Sequence, residues 1–144
     1  MWDYIVMSAT AWLLGFLPIF EIYLAVPAAI GMGLDPVSAV LWGTFGNFVT
    51  IPFLVYCYSL MTKINWMHRW LLRMADSKFS RRMRDRGFLY VLLATPLIGA
   101  WAVGVVGKVA DMDKARLFLS SLLSIFLCGV VIAFFTVTGI ELFS

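Results

Sequence analysis

Charge is what this sequence has least of. Asp, Glu, Lys and Arg make up 13% of it and hydrophobic residues 62%, where a water-soluble domain carries about 25% charged residues. So few charges cannot cover a water-facing surface, which excludes a soluble globular domain and leaves lipid as the solvent to consider. Histidine occurs once, at His68, and cysteine twice, at Cys57 and Cys128. Both cysteines sit in apolar stretches and read as small apolar filler. Two such residues make no disulfide framework, and with one histidine in a basic loop they make no metal site. There is no glycine-rich phosphate loop and no nucleophile elbow. One intramembrane carboxylate without a second catalytic group fails the geometry of an acid–base pair. Neither an enzyme nor a cofactor is therefore expected. The N-terminus lacks a basic flank and a cleavage site, so a cleaved signal peptide is not expected either. Basic residues are confined: all eleven Lys and Arg lie from Lys63 onward, eight of them within 63–87. That distribution reads as membrane orientation and argues against nucleic acid as a partner.

What is present is apolar length. No charged residue occurs from Pro36 to Thr62 or from Leu117 to Ile140, and about 20 apolar residues suffice to span a bilayer. The chain forms a single membrane domain in three parts, with 1–62 apolar, 63–87 basic and 88–144 apolar again. Each apolar part has the same layout: apolar piece, proline, apolar piece, Asp-capped turn, long helix. Asp35 caps the first long helix, with Pro36 at its first position, and Asp113 precedes the second. A slide of 78 residues aligns the halves without a gap, placing Pro18 on Pro96, Asp35 on Asp113 and Tyr23 on Trp101. Two such halves are a signature of transporters built from repeats.

Two topologies compete. If each half gives two full spans, Lys108, Lys114 and Arg116 lie opposite the basic 63–87 loop. If the first piece of each half dips in and returns, all basic residues share the cytoplasmic side, as the positive-inside rule favours. Residues 3–34 as one helix would run about 48 Å, well past a core of roughly 30 Å; split near Pro18, they give two pieces too short to cross. The expected fold is thus an all-α integral membrane protein of two inverted repeats. Each repeat is a re-entrant helical hairpin followed by one transmembrane helix, and both termini lie outside.

The joining segment, 63–87, reads as a basic amphipathic interfacial helix on the cytoplasmic leaflet. Trp66, Met67, Trp70, Leu71 and Met74 recur at helical spacing, with His68, Arg69, Arg73 and Asp76 on other faces. Trp66 and Trp70 at headgroup level, with Arg69 and Arg73 toward anionic lipid, make membrane lipid the expected partner. The bland alternative is a topology signal with no further role.

Glu21 is the sharpest feature, the one acidic residue inside the apolar interior of the first piece and three residues after Pro18. Desolvation favours its neutral acid, and carboxylates at such depth mark ion or proton pathways. The structural alternative is a carboxyl that caps the second half-helix at the break; the two roles are compatible. Asn47, in Gly43-Thr44-Phe45-Gly46-Asn47, is a candidate polar partner at mid-span, although glycines there serve packing as well. In the second half, Thr95 to Trp101 forms the opposing tip, with Pro96, Gly99 and Trp101 as site candidates. A broken half-helix exposes backbone N–H groups there; the alternative is a proline kink with Trp101 against lipid.

Glu21-Ile22-Tyr23-Leu24-Ala25-Val26-Pro27, followed by Gly31-Met32-Gly33-Leu34, Gly46-Asn47 and Pro52, resembles the small multi-drug export family. Pro96-Leu97-Ile98-Gly99-Ala100-Trp101 and Asp111-Met112-Asp113-Lys114-Ala115 look like that family's second half. The resemblance covers nearly the whole chain, Pro27 included. It implies a distant relation to the DedA/VTT membrane proteins, with two facing re-entrant hairpins, lipid-related substrates, links to proton motive force and a prokaryotic inner membrane. Those families place arginine in the hairpin motifs. Here Ile22 and Tyr23 follow the glutamate and the second hairpin has no arginine, which argues against anionic-phosphate recognition. The first functional expectation is a proton-coupled carrier of a lipid-like or amphipathic substrate, working as a homodimer. The alternatives are a small cationic-drug/proton antiporter and a non-transport assembly or anchoring subunit.

Overall fold

Proline and aspartate punctuate the apolar sequence, and most helices start and stop beside them. The computed structural model describes residues 1–75 and 78–144, with side chains at 1–70, 73 and 85–144. Leu71, Met74 and Asp76, assigned above to faces of the interfacial helix, lie outside the described side chains. Every regular element among the described residues is an α-helix. In chain order these are α1 (Trp2–Phe16), α2 (Glu21–Gly31), α3 (Pro36–Met61), α4 (Asn65–Ala75), α5 (Lys78–Ile98), α6 (Ala100–Val109) and α7 (Lys114–Phe143).

α1 stops at Phe16, and Leu17 takes an extended backbone (φ −70°, ψ 137°), the conformation that a following proline imposes. α1 and α2 are 15 and 11 residues long. At about 22 and 16 Å, each falls short of a roughly 30 Å hydrocarbon core, and they pack against each other. α3 and α7, of 26 and 30 residues, are the two helices among the described residues that are long and apolar enough to cross a membrane. Both start where expected. Asp35 accepts the Ser38 backbone N–H at 2.8 Å and Asp113 the Arg116 N–H at 3.2 Å, each satisfying a donor of the open first turn.

The second half breaks at a different point. α5, itself interrupted at Gly87 (φ 56°, ψ −130°), runs through Pro96 and ends at Ile98, and Gly99 (φ 85°, ψ 160°) makes the turn into α6. Pro96 has no N–H for the Leu92 carbonyl; the Ser124 hydroxyl donates to that oxygen instead, at 2.6 Å. The helix therefore survives the proline, and the turn falls on a glycine, which takes a positive φ without steric penalty.

Two pairs of turn hydrogen bonds recur at a 78-residue spacing. Leu34 N–H donates to Ala29 O and Gly33 N–H to Ile30 O; Met112 donates to Gly107 O and Asp111 to Lys108 O. Each partner is 78 residues from its counterpart. Left-handed residues obey the same offset: Glu21 (φ 47°) pairs with Gly99 and Gly33 (φ 101°) with Asp111 (φ 51°).

Two compact units result. The first comprises Met1–Val49 with Ile125–Ser144, and the second Thr50–Ser124. They are drawn differently from the three sequence segments, because α3 and α7 each begin in one unit and end in the other. In the first unit, Gly46 sits so close to α1 that a Cβ there would fall on the Trp12 carbonyl. Gly43 and Gly129 face Ile22, whose side chain is fully buried. In the second unit, α6 packs on α4 and α5, and Gly104 lies against Leu54 and Ile51.

Candidate functional site

The first unit buries Glu21 on α2 and Thr44 and Asn47 on α3. Glu21 opens α2 and is 7% exposed. Its backbone N–H reaches the Leu17 carbonyl at 3.1 Å. The N-cap position belongs to Phe20 and makes no side-chain cap bond. On α3, Thr44 and Asn47 are buried. The end of α1 comes down on that stretch: a Cβ at Gly15 would lie 2.5 Å from the Gly43 carbonyl and 3.0 Å from the Asn47 nitrogen. Ile22 and Val26 of α2 meet Gly43 from another side. Glu21 and Asn47 thus belong to one unit, on helices that converge at Gly43. Thr44 Oγ1 is buried there with no hydrogen-bond partner.

Two neighbours escaped the sequence reading. The Tyr23 hydroxyl and the Cys128 thiol are hydrogen-bond neighbours, and Tyr23 lies within electrostatic range of Glu21. Cys128, read as filler, is half-buried beside a phenol; its partner lies far away along the chain, and no local pattern signals it. Pro18 and the adjacent Ile19 are exposed at the turn, and Pro27 is half-buried within α2.

The opposing tip lies in the second unit. Pro96 and Leu97 are exposed, whereas Gly99 and Trp101 are buried. The Trp101 ring meets Phe53 edge-on at 6.4 Å and Trp70 at 5.7 Å. Trp70, expected among headgroups, is half-buried against α6, while Trp66, Arg69 and Arg73 are exposed. His68 is half-buried as well, with Nδ1 buried and unpartnered. Lys114 places its ammonium 5.0 Å from the Tyr56 ring centroid, a cation–π distance. Among the described residues no cluster of His, Cys, Asp and Glu is suited to a metal.

A groove that the sequence reading missed lies between α1 and α3 in the first unit. It has a volume of about 370 Å³ and is walled by Tyr4, Trp12, Trp42 and Phe45, with Ser8 between them. The signal was available: Tyr4, Ser8 and Trp12 recur every fourth residue and so share a helix face.

A family model described as "putative small multi-drug export protein" matches residues 21–131. No curated protein and no protein of solved structure matches the chain.

Proposed function

The chain belongs to the small multi-drug export family, and on that premise we propose a proton-coupled membrane carrier in which Glu21 exchanges the proton. The carrying observation is a buried carboxylate at the broken start of a short apolar helix. An acid there is expensive, and acids at such depth mark ion and proton pathways. Its left-handed φ of 47° is a further cost that glycine would avoid, and strain of this kind clusters at functional sites. The substrate is lipid-like or amphipathic, the carrier works as a homodimer, and α4 rests on anionic headgroups through Trp66, Arg69 and Arg73.

The re-entrant reading has support inside the first unit. The Tyr4 hydroxyl lies 3.2 Å from Ser38 Oγ, so the start of α1 stands level with the start of α3. A single span made of α1 and α2 would put those two points on opposite sides of the bilayer.

The test is Glu21→Gln in proteoliposomes with an imposed pH gradient and a fluorescent lipid analogue. The amide mimics the neutral acid and cannot exchange a proton. Gradient-driven transport is expected to vanish while insertion and folding persist. Transport by the variant with the parent's pH dependence would refute the reading.

A further inference from the structure

The turn between α1 and α2 concentrates negative charge. α1 ends there with no basic residue in its last turn, so no side chain of that helix offsets the negative end of its dipole. Pro18 has no N–H to give the Leu14 carbonyl four residues back. Glu21, buried, adds a carboxylate at the start of α2. The positive end of the α2 dipole meets that carboxylate, but it amounts to only about half a charge. Residues 1–49 and 125–144, which make up this unit, contain no lysine, arginine or histidine. No side chain of the unit therefore supplies a full positive charge.

Further oxygens stand on α3. Thr44 Oγ1 is buried with no hydrogen-bond partner, although buried polar groups are ordinarily satisfied. Thr10, Thr95, Thr136 and Thr138 each donate to the carbonyl four residues back, a bond open to any helical threonine. Thr44 does not make it. Its hydroxyl oxygen lies 3.4 Å from where a Cβ at Gly129 would stand, and Ile22 Cδ1 lies 3.4 Å from the same point. Ile22 follows Glu21, and Tyr23, within electrostatic range of Glu21, is the hydrogen-bond neighbour of Cys128. The start of α2 and the Thr44 hydroxyl therefore adjoin the same two residues of α7, Cys128 and Gly129. Asn47, one turn beyond Thr44 on α3, is buried as well. The fold does not require oxygens at these places. At the 78-residue offset, positions 21, 44 and 47 become Gly99, Leu122 and Ile125, and there too a left-handed residue precedes a short helix and an Asp-capped long one.

We infer that Glu21, Thr44 and Asn47 bind a sodium ion. Hard cations take oxygen ligands, and the C-terminal ends and freed carbonyls of broken membrane helices are where carriers coordinate sodium. One carboxylate balances one charge, which favours a monovalent ion over magnesium or calcium. The Glu21 carboxylate, Thr44 Oγ1 and Asn47 Oδ1 are the side-chain ligands, and carbonyls at the end of α1 complete the shell. Helix contacts as close as that of Gly15 with the Gly43 carbonyl favour sodium over the larger potassium. The inference deepens the proposed carrier by adding a coupling ion at Glu21, and it rests on that reading only for what the ion drives. Binding itself is independent of it.

The probe is radiolabelled sodium, with binding read by scintillation proximity on protein purified in an N-methylglucamine buffer. Unlabelled NaCl is expected to displace the label, and KCl at the same concentration is not. Glu21→Gln is expected to abolish binding. Thr44→Val keeps the shape but loses a ligand, and it should weaken sodium about tenfold; Thr44→Ser keeps the hydroxyl and should retain it. The comparison of sodium with potassium on the parent needs no variant, so it decides the matter even if Thr44→Val fails to fold. Absence of displaceable label, equal displacement by both salts, or an affinity untouched by Thr44→Val overturns the inference. The two readings fail separately. Sodium binding by the parent, with transport and its pH dependence unchanged in Glu21→Gln, sinks proton exchange and leaves the sodium site standing. Loss of gradient-driven transport in Glu21→Gln, with no sodium bound by the parent, sinks the sodium site alone.

Discussion

Pro96 takes a hydrogen-bond donor out of α5, and Ser124 supplies another to the same oxygen. A buried acceptor left unsatisfied costs about 1–3 kcal/mol, so Ser124→Ala is expected to lower the thermal midpoint by that order of stability. In a Pro96→Ala background the backbone N–H returns to Leu92, and Ser124→Ala should then cost markedly less. A double-mutant cycle of thermal unfolding in detergent reads the coupling; additive effects would contradict it. The proline was visible in the sequence and its rescue was not. Ser124 sits in a serine-rich stretch where no local rule singles it out, and its partner is 32 residues away. Glu21 was legible because a lone charge in an apolar run declares its own expense. Tyr23 and Cys128 were hidden because their meeting depends on how α7 packs on α2.

Elements were legible wherever their ends are local chemistry. Asp35 with Pro36 and Asp113 with Lys114 start helices that the sequence places correctly, because a cap is decided within four residues. The Asp35 carboxyl is held below the ordinary carboxylate range, chiefly by the Ser38 backbone N–H. A folded-state value below the unfolded one adds stability that is present above the unfolded value and lost as pH falls through the folded one. The thermal midpoint should therefore drop on acidification below about pH 4. Asp35→Asn, an equally good cap, should flatten the Asp35 part of that drop; an unchanged profile would show that the cap is not what titrates. Contacts between elements were less legible. Gly46 looked like one small residue among several, yet its Cβ would strike the Trp12 carbonyl, a backbone atom that cannot swing aside. Gly46→Ala is expected to cost about 1–3 kcal/mol by overpacking and to loosen α1, measurable as faster hydrogen exchange along residues 2–16. The ring contact of Trp70 with Trp101 was hidden for a related reason: amphipathic spacing shows that a face is apolar but not which side chains lie against it.

For the whole molecule, the placement of lysine and arginine predicts orientation. Both termini and the 31–36 turn are expected outside, with the 63–87 segment and the turn before Lys114 inside. Single cysteines introduced at Trp2 and Ser144, after Cys57 and Cys128 are replaced by alanine, should react with an impermeant maleimide in intact cells, whereas one at Lys63 should require permeabilisation. Labelling of either terminus only after permeabilisation would contradict the orientation. The 78-residue spacing of prolines and caps was readable as an order of features even though the two stretches share few residues, because prolines and caps act through the backbone. The compact units were not readable, because they cut through α3 and α7 at positions that no proline, glycine pair or charge marks.

That cut has a consequence for how the chain can be divided. Severed between residues 62 and 63, the protein would leave two fragments, neither of which owns a whole unit: the N-terminal piece lacks 125–144, and the C-terminal piece lacks 50–62. Each could be completed only by borrowing the far end of the other's long helix.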